Sequence, residues 1–67
     1  MRHGRMTGAR FRAIRRRLGR TQAGLAEWIG MHRVTVARYE IGAAPVSTRV
    51  ALLMTLLDER RREGGRR

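Results

Sequence analysis

The chain has 67 residues, 42% of them hydrophobic, and 16 basic side chains against 5 acidic ones, a net charge of +11. That is one domain near the lower limit for a self-sufficient core, with a charge that suits a polyanion such as nucleic acid or an anionic membrane. Without Cys, and with His only at positions 3 and 32, neither a disulfide framework nor a zinc site is expected.

No apolar run approaches the ~20 residues of a membrane span, and the basic N-terminus lacks the apolar segment of a signal peptide. No carboxylate pair and no nucleophile–base set is visible, so neither an enzyme nor a cofactor is expected. The reading is a soluble, cytoplasmic protein of a bacterium or a phage-infected cell. Every basic residue other than His is Arg, and Lys and Asn are absent. A gene with GC-rich codons accounts for part of that bias.

The charge is uneven. Residues 2–20 carry eight Arg and no acid; residues 21–57 are nearly neutral, with Arg33, Arg38 and Arg49 against Glu27 and Glu40; five more Arg lie in 58–67. Residues 1–6 read as a basic N-terminal arm, 7–62 as the folded domain and 63–67 as a flexible basic tail that frays from Gly64 onward.

Gly8, Gly19, Gly30 and Gly42, with Pro45, divide the chain into segments of helical length. Thr7 is placed to cap a first helix over about 8–18, with Phe11, Ile14 and Leu18 inward. Thr21 is placed to cap a second over about 22–29, where Leu25, Ala26 and Ile29 share a face. A third runs over about 33–40 with Val36 and Tyr39 inward. Residues 41–46 form a loop, and Ser47 is placed to cap a fourth helix over about 48–62. The expected fold is all-α, with four to five helices and no strand.

Residues 22–41, QAGLAEWIGMHRVTVARYEI, are the most informative stretch. Two short helices joined by a tight glycine turn have helix-turn-helix geometry. Ala26 is small where the helices cross, Gly30 supplies the positive φ of the turn, Met31 packs beneath it, and Val36 and Tyr39 seat the second helix on the core.

From Phe11 to Leu57 the chain resembles the phage Cro/repressor (lambda-repressor-like) helix-turn-helix family, of the small autoregulator type that includes anti-CRISPR-associated regulators and antitoxins. The residues that carry the likeness are Arg15, Thr21, Gln22, Leu25, Ala26, Ile29, Gly30, Val36, Tyr39, Glu40, Gly42 and Pro45, followed by the segment VALLMTLL. The resemblance implies duplex DNA as partner. Thr21 and Gln22 match positions that hold a phosphate with the helix N-terminus. His32, Arg33, Val34 and Arg38 match the base-reading face, with Thr35 nearer the backbone. Arg33 and Arg38 suit guanine O6 and N7, and Val34 a thymine methyl. Arg15 and Glu40 match a pair that bridges the first and third helices.

The chain also departs from the family pattern. Gly24 stands where Glu is usual, Arg20 replaces an apolar residue before the cap, and Ala43 and Ala44 replace polar loop residues. Phosphate contacts are therefore expected from Arg16, Arg17 and Arg20, joined by Arg10, Arg12 and Arg49. Trp28 stands at a commonly polar position and either covers the core edge or joins a subunit contact.

On the fourth helix Val50, Leu53, Met54 and Leu57 form an inward stripe, which leaves Leu52 and Leu56 nearly opposite. A two-fold homodimer through Leu52, Leu56 and Trp28 is expected, with two recognition helices on an inverted-repeat operator. The expected role is repression of the protein's own operon. One alternative is an antitoxin or bridging module that uses the same fold to hold a protein, with a toxin or a polymerase as partner. Another is a general polyanion binder acting through Arg15, Arg16 and Arg17.

Overall fold

The computed structural model describes residues 6–64. Four helices follow one another: α1 (Gly8–Arg17), α2 (Gln22–Ile29), α3 (Arg33–Glu40) and α4 (Thr48–Gly64). Among the described residues there is no strand, and none of these helices is long and apolar enough to cross a membrane. Residues 1–5 of the expected arm and 65–67 of the expected tail lie outside the described residues.

The capping residues act at the helix starts. Thr7 Oγ1 accepts the Arg10 N–H at 3.0 Å, Thr21 Oγ1 accepts that of Gly24 at 2.9 Å, and Ser47 Oγ accepts that of Val50 at 3.2 Å. Each hydroxyl satisfies a donor that has no partner within its helix. Helix α1 stops one residue before the expected end, with Leu18 as its C-cap. Helix α4 continues two residues beyond residue 62, so Gly64 is still helical.

The core is one cluster drawn from every helix. Phe11 and Ile14 of α1, Leu25 of α2, Val36 of α3 and Met54 of α4 are fully buried, and Ala26, Tyr39 and Val46 nearly so. Burying an aliphatic or aromatic side chain of this size stabilises the fold by about 1.5–3 kcal/mol. Phe11 and Tyr39 meet edge to face, with ring centroids 5.4 Å apart, and join α1 to α3. Helix α1 lies centrally: it packs on α3 and α4, while α2 and α3 pack on each other.

Gly8 marks the tightest approach between elements. A Cβ there would stand 2.8 Å from the carbonyl oxygen of Glu40 and still closer to that of Tyr39. Only a residue without a side chain lets the start of α1 sit against the end of α3.

Helix α4 differs from its expected pattern. Met54 is buried, and Val50 and Ala51 pack against the core. Leu53, expected inward, is 37% exposed, whereas Asp58 is buried. The inward face thus runs through Val50, Met54 and Asp58, at steps of four. Asp58 can occupy it because Arg17 meets it there.

Candidate nucleic-acid interface

Helices α2 and α3 are joined by a short turn at Gly30, which adopts φ 74° and ψ 40°. That left-handed conformation suits Gly. It lets the N–H groups of Gly30 and Met31 both donate to the Ala26 carbonyl, which closes α2 after two turns and redirects the chain into α3. Leu25, Ala26, Val36 and Tyr39 bury the inner faces of the pair, and the remaining faces are presented outward.

The outward face of α3 carries the residues expected to read bases. Arg33, Val34 and Arg38 are exposed, as is His32, the N-cap, whose side chain makes no capping bond. Thr35 is half-buried. Neither Arg33 nor Arg38 makes an ion pair among the described residues. Their guanidinium groups therefore remain charged donors toward solvent.

Glu40 sits behind this face, with its side chain fully buried. Its two oxygens accept Arg15 Nε at 2.6 Å and Arg15 Nη2 at 3.1 Å, a bidentate pair. Gln22 Nε2 donates to Glu40 Oε1 at 3.0 Å, and Arg12 Nε stands 3.5 Å from the same oxygen. Arg15 Nη1 also donates to the Arg20 carbonyl at 2.8 Å. One carboxylate thereby ties α1, the α2 entry and α3 together. Burial alone raises the Glu40 pKa, but hydrogen bonds from Arg15 and Gln22 and the Arg15 charge outweigh it, so the carboxyl lies below its ordinary value.

The residues expected on phosphates fall into two groups. Thr21 and Gln22 lie together at the start of α2, and Arg16 is exposed on α1. Arg17 and Arg20, like Gln22 on Glu40, have partners in their own chain. Arg17 Nε and Nη2 donate to the two oxygens of Asp58 at 3.1 and 2.8 Å. The guanidinium of Arg20 lies 4.0 Å over the Trp28 ring, a cation–π contact. Trp28 is 46% exposed and so forms no part of the buried core.

Three functional or structural residues escaped the sequence reading. Asp58 stands four residues beyond Met54, but the competing stripe through Leu53 and Leu57 hid it, and its partner Arg17 is distant in sequence. Ile41 lies just past α3 and is 73% exposed, although its position in a turn gave no reason to expect an exposed β-branched side chain. Gly8 was read as the first residue of a helix, and nothing in the sequence marks its close approach to α3.

The electrostatics of the helix ends favour anions. None of the four helices has an acid in its first turn. Their positive N-terminal dipole ends are therefore not countered by first-turn carboxylates. Arg49 lies in the first turn of α4, adding a cation where the dipole is already positive.

A short helix, a left-handed glycine turn and a second short helix with an exposed basic face define a helix-turn-helix protein. A family model described as a helix-turn-helix domain matches residues 7–62, and the chain belongs to that family, a DNA-binding class. No curated protein and no solved structure matches the chain.

Proposed function

We propose that this protein is a sequence-specific regulator that binds duplex DNA as a homodimer and represses transcription, including that of its own operon. The observation that carries this reading is the outward face of α3, where Arg33, Val34 and Arg38 are exposed beside the capped start of α2. In this reading α3 enters the major groove. Arg33 and Arg38 meet guanine, Val34 a thymine methyl, and His32 a base edge at the groove's rim.

Thr21, Gln22 and Thr35 hold the backbone, with Arg16 and Arg20 as cationic contacts. Arg17 is left out of that set, because its donors face Asp58. Repression works by occupying promoter DNA. The finer likeness to phage Cro/repressor autoregulators is part of the same proposal.

The dimer contact is assigned to the outer face of α4. Leu52 is 66% and Leu56 52% exposed, with Leu53 between them. Covering them with a second copy removes apolar surface from water, and an inverted-repeat operator then requires the two α3 helices to lie about one DNA turn apart. Trp28 is left out, since Arg20 of its own chain stacks on it.

Selection of bound sites from random duplex DNA, with sedimentation of the complex, tests the reading. An inverted repeat bound by two copies is expected. Enrichment of no sequence, with binding that nonspecific duplex competes away equally, would overturn it. The α4 face also favours a second reading, a module that holds another protein. A stable one-to-one complex with a co-purifying partner through Leu52 and Leu56 would select that one.

A further inference from the structure

The exposed face of α3 carries a narrow set of chemical groups. Val34, Arg38 and Ile41 stand at i, i+4 and i+7 and share one side of the helix. Ile41 is the C-cap, with φ −96° and ψ 4°, so its backbone stays close to the helical path. Val34 is 58% and Ile41 73% exposed. No other large hydrophobic residue among those described is as exposed as Ile41. Neither side chain contributes to the core, so their apolar surface is available to a ligand.

The polar groups beside them are His32, Arg33, Thr35 and Arg38. This face has no Asn or Gln to pair with adenine N6 and N7. It also has no exposed Asp or Glu to accept from cytosine N4, because Glu40 is buried against Arg15. His32 and Thr35 can pair with more than one base, so the groups that discriminate are arginine for guanine O6 and N7, and aliphatic carbon for the C5-methyl group of a pyrimidine.

We propose that α3 reads guanine flanked by 5-methylpyrimidines, with Val34 and Ile41 as methyl contacts on either side of Arg38. The inference rests on the assignment of α3 as the base-reading helix and names what that helix selects. Val34 and Ile41 are about 10 Å apart along the helix axis, too far for one pyrimidine methyl to touch both. Their methyl partners therefore lie on different pairs, with the guanine of Arg38 between. The basic charge on either side suits the phosphates that border the groove. Thymine and 5-methylcytosine present the same methyl group, and thymine is the expected source in unmodified DNA.

The test takes the site recovered by selection and measures binding by fluorescence anisotropy with synthetic duplexes. One arm replaces each thymine with deoxyuridine, which removes only the methyl and keeps the pairing. A second arm replaces each cytosine preceding guanine with 5-methylcytosine. Burial of one methyl corresponds to about a fourfold change in affinity.

The expected result is a loss of about fourfold at two separate thymines. Ile41→Ala abolishes the methyl dependence at one of them and Val34→Ala at the other. A gain in the 5-methylcytosine arm, with no loss in the uracil arm, assigns the methyl to modified cytosine and equally supports the proposal. Equal binding of all duplexes by the unaltered protein overturns it while leaving DNA recognition intact. A change of oligomeric state in Ile41→Ala, with methyl dependence retained, also overturns it, because Ile41 then belongs to a subunit contact. Failure to recover any preferred duplex overturns the underlying assignment of α3 as well. Ile41 and Val34 are exposed, so circular dichroism is expected to show both variants folded.

Discussion

The guanidinium of Arg17 lies against both carboxylate oxygens of Asp58, at 3.1 and 2.8 Å, and joins the end of α1 to the outer half of α4. Arg62 adds a longer contact to the same carboxylate at 3.4 Å. The Arg17 hydrogen bond lowers the Asp58 pKa against the opposing effect of burial, and the charges of Arg17, Arg62 and Arg61 lower it further. Glu40 is shifted the same way.

An acid with a depressed folded pKa contributes stability that is present above its unfolded value and lost as pH falls through the folded one. The melting temperature is therefore expected to be flat from about pH 8 to pH 5 and to fall below about pH 4. Asp58→Asn is expected to lower the neutral-pH midpoint and make the acid limb shallower. Circular dichroism melts across this range check both; an acid limb of unchanged steepness in the variant would count against the Arg17–Asp58 linkage.

Glu40 is the more central of the two acids, because it meets three elements at once. Glu40→Gln keeps the volume but leaves Arg15, only 11% exposed in its side chain, beside a neutral amide. Breaking a buried pair from one side is costly, though access of water to Arg15 moderates it; the expected loss is about 2 kcal/mol. In a domain of this size that lowers the melting temperature by about 8–16 °C. The Gln22 amide loses its carboxylate acceptor as well, so DNA affinity is expected to fall along with stability. A variant that melts with the unaltered protein would place the α1–α3 linkage in the Phe11–Tyr39 contact instead.

Most of the helical architecture was legible because three of the four helices announce themselves twice, through a capping Thr or Ser and through a stripe. Thr21 with Leu25, Ala26 and Ile29 placed α2 at its observed bounds, while α3, whose N-cap His32 makes no capping bond, was placed by the Gly30 turn and by Val36 and Tyr39. Helix α4 was harder because apolar residues occur around much of its circumference. Periodicity alone did not show that Leu53 faces partly outward while Asp58 turns inward. That choice depends on Arg17, which is 41 residues away from Asp58 in sequence. Likewise, the run Arg15–Arg17 reads as uniform charge. The family resemblance already set Arg15 against Glu40, but only the fold separates Arg16, toward solvent, from Arg17 on Asp58.

Gly8 offers a test of packing independent of charge. In most helix interiors Gly→Ala is favourable by up to about 1 kcal/mol. Here the added methyl meets the backbone carbonyls of Tyr39 and Glu40, which cannot rotate away as a side chain could. Gly8→Ala is therefore expected to destabilise by about 1–3 kcal/mol, the range for overpacking. Chemical denaturation gives the value directly. A stabilised variant would show that α1 slides along α3 at little cost.

The division of labour among the arginines is the prediction closest to function. Arg33 is exposed on the outer face of α3, whereas Arg16 is exposed on α1. A base contact and a phosphate contact lose affinity in different ways. Arg33→Ala is expected to relax preference at one or two base pairs in each half-site, by about 1–3 kcal/mol per lost guanine contact. It should leave binding to nonspecific duplex nearly unchanged. Arg16→Ala is expected to weaken all sequences alike and to reduce the salt dependence by about one unit per subunit. If about four phosphates are neutralised per subunit, the log–log slope of the dimer with salt lies near −7 before substitution. Site selection and salt titration on both variants separate the two roles. A preserved site profile in Arg33→Ala would move base reading to other residues of the exposed face, with Arg38 the first to examine. A preserved salt slope in Arg16→Ala would assign the phosphate contacts to the start of α2 and to Arg49 instead.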